Sequence, residues 1–385
     1  MKQKGGNRFW KWSRRLFRWF RILVLFAILI GAVALLYLNR VGLPKFVKTR
    51  VVAALEAEGL DVKFTRLRLS GYRHIVIDDM GVMGTNGAPF QFSAKQAELK
   101  FDREALRSLN FKLESLLLKN GILTIDLTQT NGPPQVFVVN KISADLRAKT
   151  GDRWILQTFE GEALGAKWNV SGSLTNLISI AQKSTPQAKP TDWTPVLRDV
   201  VNTFDKIHFG SPPQVTVTAL GDFKDLALFR ASVALRGTSA RTPWGELEEV
   251  VLRSSIGPGL KAGDQMEVML NLSIKSAAAE WGTLQRATVA ARAEYPLTNS
   301  VTFESLWTIR GDEVATRWYS GRKIDVSLDT RQAGTNLVTL VQASAENGKS
   351  LFGAAGRTAF QARLEHAYPI AALNKALFDF LPVQT

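Results

Sequence analysis

Adjacent carboxylates can divide the work of a general acid and a general base, and Asp78-Asp79 is such a pair. The pair lies in YRHIVIDDMGV, a segment of alternating polarity. Neighbours on a strand point to opposite faces, so the two carboxylates cannot share one substrate. A solvated strand end is the reading they support. His74, in the same segment, is a surface or satisfied core residue before it is a base. His74, His208 and His366 are the three histidines, and none has a histidine four residues on. A helical His pair for a metal is therefore excluded. Cysteine is absent, which removes disulfides, thiolate nucleophiles and Cys-ligated metals. No P-loop, GxSxG, HExxH or SxxK setting occurs. The expectation is a protein that is not an enzyme and carries no metal and no cofactor.

What the chain does offer is continuous apolar surface. Met266, Val268, Leu270, Leu272 and Ile274 share one face of an alternating strand. Val301, Phe303, Trp307 and Ile309 repeat the pattern in the strand after next. Such a face has two uses. It can pack against a second sheet as the dry centre of a β-sandwich. It can also stay open and take acyl chains.

The elements that place these residues begin with a membrane segment. Ile22 to Leu38, ILVLFAILIGAVALLYL, is seventeen residues without a charge. With Trp19 and Phe20 it approaches the ~20 residues that span a bilayer. No small-x-small site follows, so an uncleaved anchor is expected in place of a signal peptide. Residues 1–21 form a basic cytoplasmic segment. Trp10, Trp12, Trp19, Arg14, Arg15, Arg18 and Arg21 interleave rings with cations there, which suits the headgroup layer. Basic residues before the span put the body, from residue 40 on, in the periplasm.

The formal charge of +15 is concentrated at this end. Twelve of the 49 basic residues precede Glu56, the first acid, leaving 49 − 12 = 37 basic against 34 acidic from Val51 onward. That near-neutral body gives nucleic acid no basic face to meet. Residues 43–58 read as an amphipathic helix, with Pro44 in its first turn and Gly59 ending it. Lys45, Lys48 and Arg50 oppose its dipole, and anionic headgroups beneath the first turn would offset that cost.

From Leu60 the period becomes two. Residues 60–181 form a β region, interrupted by a short helix over 103–109 that Asp102 caps. No βα alternation is evident, so a parallel sheet is not expected. Residues 182–193, polar with two prolines, form a linker. Thr194-Pro195 starts a helix carrying Leu197, Val201 and Phe204 on one side, and a further helix is expected over 369–381.

Residues 194–385 carry a repeat. Trp244, Trp281 and Trp318 are 37 residues apart, and Trp168 lies 76 before the first. Apolar residues recur six and eight positions after the last three tryptophans. Each period holds two long strands, so the unit is a hairpin and stacking gives a sideways-growing antiparallel meander. The tryptophans are expected in a column about 9–10 Å apart, twice the strand spacing.

The anchor, the Leu-Pro start of the short helix, the strands GLDVKFTRLRL and the stretch AELKFDREALRSLNFKLESLLLKNGILTIDL resemble AsmA-like proteins over roughly residues 20–130. That resemblance implies an inner-membrane anchor and a long β-sheet curled into an apolar groove. It also implies movement of phospholipid toward the outer membrane, with membrane phospholipid and other envelope proteins as partners. The fold expected is therefore mainly β: a transmembrane helix, then an elongated, curled antiparallel meander with a few short helices. An anchored assembly scaffold with a dry sandwich core is the alternative.

Overall fold

The computed structural model describes residues 60–70, 74–84, 90–101, 113–128, 134–149, 153–175, 194–222, 225–259, 265–296, 303–333 and 336–367, with Leu29 and Thr49 singly. The rest of segments 1–21, 22–38 and 43–58, the helices expected over 103–109 and 369–381, and the linker 182–193 lie outside these residues. So do Val301 and the membrane-surface residues Trp10, Trp12, Arg14, Arg15, Arg18, Trp19, Arg21, Lys45, Lys48 and Arg50. Among the described residues no helix is long and apolar enough to cross a membrane.

Among the described residues the protein is mainly β, with eighteen strands. Residues 1–123 and 124–385 form two units. In the first, β1 (Leu60–Lys63) and β2 (Arg66–Ser70) both pair with β3 (His74–Gly84), which pairs with β4 (Phe90–Phe101). β5 (Leu113–Asp126) begins here. Leu67, Ile77 and Ala97 are buried to 4% exposure or less, with Phe64, Ile75, Met80, Leu99, Leu116 and Leu118 packed around them. Leu67 pairs with Ile77 and Ile77 with Ala97, so the alternation along each strand delivers one apolar side chain to the same spot.

In the second unit β6 (Val136–Lys149), β7 (Arg153–Ala163) and β8 (Ala166–Thr175) are antiparallel. The chain then crosses over through α1 (Thr194–Phe204) and the two-residue β9 (His208–Phe209). It returns as β10 (Gln214–Asp222), parallel to β8 over nine positions. This junction departs from the all-antiparallel expectation. Its reason is length: a crossover of a dozen or more residues, here with a helix, lets the chain re-enter the sheet in the same direction. Gly172 makes the approach possible, since a Cβ there would come 2.1 Å from the Ala219 carbonyl oxygen.

From β10 the meander is regular: β11 (Asp225–Thr242), β12 (Gly245–Pro258), β13 (Gln265–Ala279), β14 (Gly282–Pro296), β15 (Glu304–Thr316), β16 (Tyr319–Ala333), β17 (Asn336–Ser350) and β18 (Gly353–Ala367). Each pairs antiparallel with the next. These strands lie in one open sheet, not in two facing ones.

Among the described residues, seven inside strands have left-handed backbones: Asp79, Asn120, Lys141, Glu249, Arg286, Lys323 and Asn347, with φ between 46° and 54°. The same pattern surrounds each. The residue two before and the residue one after are buried or half-buried, as in Leu247/Val250, Leu284/Ala287 and Gly321/Ile324. Inward positions are thus three apart here in place of two, and the alternation slips. Asp78-Asp79 is one of these sites. The premise that its two side chains must oppose each other fails, because Asp79 is left-handed. Asp78 accepts from Arg68 Nε at 3.0 Å, so it serves an ion pair within the sheet.

Candidate functional site

The registers of β8 to β18 assemble two opposite faces from the alternating strands. On one, a row runs without interruption through Trp168, Val215, Leu235, Leu252, Leu272, Val289, Ile309, Val326, Ala343 and Phe360. Two residues along, a second row holds Val170, Val217, Val233, Ser254, Leu270, Ala291, Trp307, Leu328, Val341 and Ala362. A third passes through Ile256, Val268 and Ala293, then turns polar at Ser305, Thr330 and Thr339. Between them, on the other face, Arg236, Val251, Ser273, Thr288, Arg310, Asp325 and Ser344 line up as a mostly polar row.

The apolar face is not dry. Leu270, Leu272, Val289, Ile309 and Val326 are half-buried, and Trp307 is 42% exposed. Met266 and Ile274, at the two ends of the expected stretch, are buried. Val268 is half-buried beside them, and Phe303 lies one residue before β15 with its N–H donated to Gln332 Oε1 at 3.1 Å. One end of the first row is covered. Trp168 packs against Phe204 of α1, ring centroids 6.3 Å apart, and its indole N–H donates to the Ala163 carbonyl. Arg198 fixes the helix by donating to the Leu127 carbonyl at 2.9 Å, and Val201 is buried beneath. At the other end, on β18, Phe360 and Leu364 are 61% and 58% exposed.

Nine strand spacings of ~4.8 Å make the first row roughly 43 Å long, and three rows span about 14 Å along the strands. One leaflet of a bilayer core is ~15 Å deep. The strip is therefore about as wide as a leaflet core is deep and roughly three times as long.

A line of charge crosses the sheet near one set of strand ends. Lys275 faces the left-handed Glu249 at 2.6 Å, Asp312 faces Arg286 at 2.5 Å, and Glu346 faces Lys323 at 2.9 Å. The hydrogen bond and charge of Glu249 hold the Lys275 ammonium above the usual lysine range. Left-handed backbone costs a residue with a Cβ ~1–2 kcal/mol, more than an exposed ion pair returns. The sheet itself must impose it. Arg286→Val, which places a β-branched residue at positive φ, is expected to destabilise the chain by ~2 kcal/mol in denaturant titration. Arg286→Asn, which tolerates that backbone, is expected within ~0.5 kcal/mol of wild type. Equal tolerance of both would mean the left-handed turn is not kept.

The repeat tryptophans are not in the strands. Trp244, Trp281 and Trp318 occupy two-residue turns, Pro243-Trp244, Glu280-Trp281 and Arg317-Trp318, at the same end of the meander. They are 77%, 57% and 59% exposed. Trp168 does not belong with them, since it lies within β8. The fourth member is Phe352, in the turn Leu351-Phe352 and 99% exposed. A hydroxyl locks three of these turns. Thr242 Oγ1 accepts from the Trp244 N–H, Thr316 Oγ1 from Trp318 and Ser350 Oγ from Phe352, each at 3.2 Å. The signal for Phe352 was present as Ser350-x-Phe352-Gly353, which parallels Thr242-x-Trp244-Gly245, but 34 residues after Trp318 it falls outside a strict period of 37.

Elsewhere, His74 Nδ1 lies 2.6 Å from Glu98 Oε1 on the neighbouring strand. Among the described residues no three His, Cys, Asp or Glu side chains group to hold a metal. No protein-family model, curated protein or solved structure matches this chain.

Proposed function

We propose that the chain is an inner-membrane-anchored, periplasmic protein of the AsmA-like kind that binds or conducts phospholipid along the apolar face of β8–β18. The observation that carries this is a pair of apolar rows crossing ten strands, one unbroken and one interrupted only at Ser254, and partly exposed from β11 onward. Apolar surface left to water costs about 25 cal/mol for each Å², and acyl chains are occupants that remove the cost without needing any polar site. The line of left-handed residues at Glu249, Arg286 and Lys323 supports a curled sheet, since irregular residues within strands bend them, and repeated bends on one line make a trough. Headgroups would stay in water beyond the strip. Catalysis, cofactors and nucleic acid have no part in this reading.

A photo-crosslinking amino acid at position 270, irradiated in the intact membrane, tests it. A phospholipid adduct is the expected product. Crosslinks to protein alone, from a chain that folds normally, would overturn the reading in favour of an assembly scaffold.

A further inference from the structure

The open strip uses the strand middles; the row of exposed rings at the strand ends is left without a role. Trp244, Trp281, Trp318 and Phe352 recur at every second strand, so neighbours stand about 9–10 Å apart on one rim. A large aromatic side chain carries 150–250 Å² of surface, and four in water are costly unless something covers them. We infer that this rim docks on a phospholipid bilayer, with the four rings seated at the headgroup level.

The arrangement selects this partner. The rings form a comb, not a patch, because polar residues stand between the teeth: Arg241 and Glu246, which pair at 2.6 Å, then Glu280 and Arg317. A protein interface wants a continuous, close-packed surface of ~800 Å² on each side with an apolar centre. Lipid molecules fill the gaps of a comb, and indole rings prefer the wet edge of a bilayer. The charges agree. Arg241, Arg317 and the exposed Lys349 stand at the tips against Glu246 and Glu280, so phosphate oxygens meet cations while a neutral membrane remains acceptable. Two-residue turns, three of them hydroxyl-capped, hold the rings out, so little ordering remains for docking to supply. The inference extends the lipid-binding reading and rests on it only for bringing the chain to a membrane.

The absence of cysteine makes the test clean. Glu280→Cys and Leu351→Cys place an environment-sensitive fluorophore at two tips, and Gln342→Cys places it on the exposed polar face. The full chain is reconstituted in phosphatidylcholine nanodiscs with and without a nitroxide quencher near the headgroups. About half of the emission at 280 and 351 is expected to be lost, with none lost at 342. Replacing Trp244, Trp281, Trp318 and Phe352 together by Ser, with circular dichroism unchanged, is expected to abolish the quenching. Unquenched tips would overturn the inference. So would unquenched probes together with disulfide-linked dimers of the unlabelled Glu280→Cys chain, which would make the rim a self-association surface. The crosslinker at position 270 reports independently: a lipid adduct there with unquenched tips refutes the rim alone, and quenched tips without an adduct refute the strip alone.

Discussion

Leu270→Asp is expected to abolish phospholipid transfer between donor and acceptor vesicles while the chain still folds. Leu270 lies near the centre of the second apolar row, with Ser254 on one side and Ala291 on the other. It is half-buried, so a carboxylate there reaches water past two small neighbours. The loss is a partly covered leucine and some strand preference, ~1–2 kcal/mol together. Under the proposed function, a charge in the middle of a mostly apolar strip obstructs every acyl chain that must pass it. In a sealed core the same change would bury an unpaired carboxylate at several kcal/mol and remove the fold. Normal circular dichroism with no transfer is the expected result. Unfolding would mean that something seals this face, and normal transfer would mean lipid does not use it.

The opposite contrast comes from Leu67, 1% exposed in the first unit. Leu67→Ala leaves a cavity among Ile77, Ala97 and Phe64 and is expected to cost about 2–5 kcal/mol. Hydrogen exchange of β2–β4 amides would then speed by about 30-fold or more. Leu272→Ala, chemically identical but on the open face, is expected to cost ~1 kcal/mol and to speed β12–β14 exchange about fivefold. Equal effects at the two leucines would refute the distinction between a packed core and an open strip.

Strand content was legible in the sequence because alternation writes itself into every strand, and Met266–Ile274 share their face as the pattern implies. The open sheet was legible from the 37-residue period. The turn position of the tryptophans was not, because a residue at fixed intervals marks a place in the hairpin without saying which. The available cues were partial: a hydroxyl residue two before the ring at Trp244, Trp318 and Phe352, and a glycine directly after it at Trp244, Trp281 and Phe352. Of the left-handed sites, Asn120 and Asn347 carry a local cue as Asn-Gly pairs, but Glu249, Arg286 and Lys323 escaped for a different reason. Glu248-Glu249, Gln285-Arg286 and Arg322-Lys323 are not turn-forming residues, and no local preference sends them to positive φ. Only the demand for inward apolar residues on both sides, three apart, does so. The parallel return of β10 was hidden in the same way. Two strands and a helix between them were visible, but direction depends on where the crossover lands.

The ladder from β11 to β18 has a consequence for size. Contact between these strands is chiefly with the sheet neighbour, each strand following the last in sequence. A globular domain that gains residues must enlarge or reorganise a shared interior. This sheet need not. Duplicating one segment from Trp244 to Glu280 in frame adds two strands, and hence about 9–10 Å of reach, while every existing neighbour pair but one is kept. Length becomes an additive property of the gene, and the extent of the sheet can be set by unequal recombination between repeats.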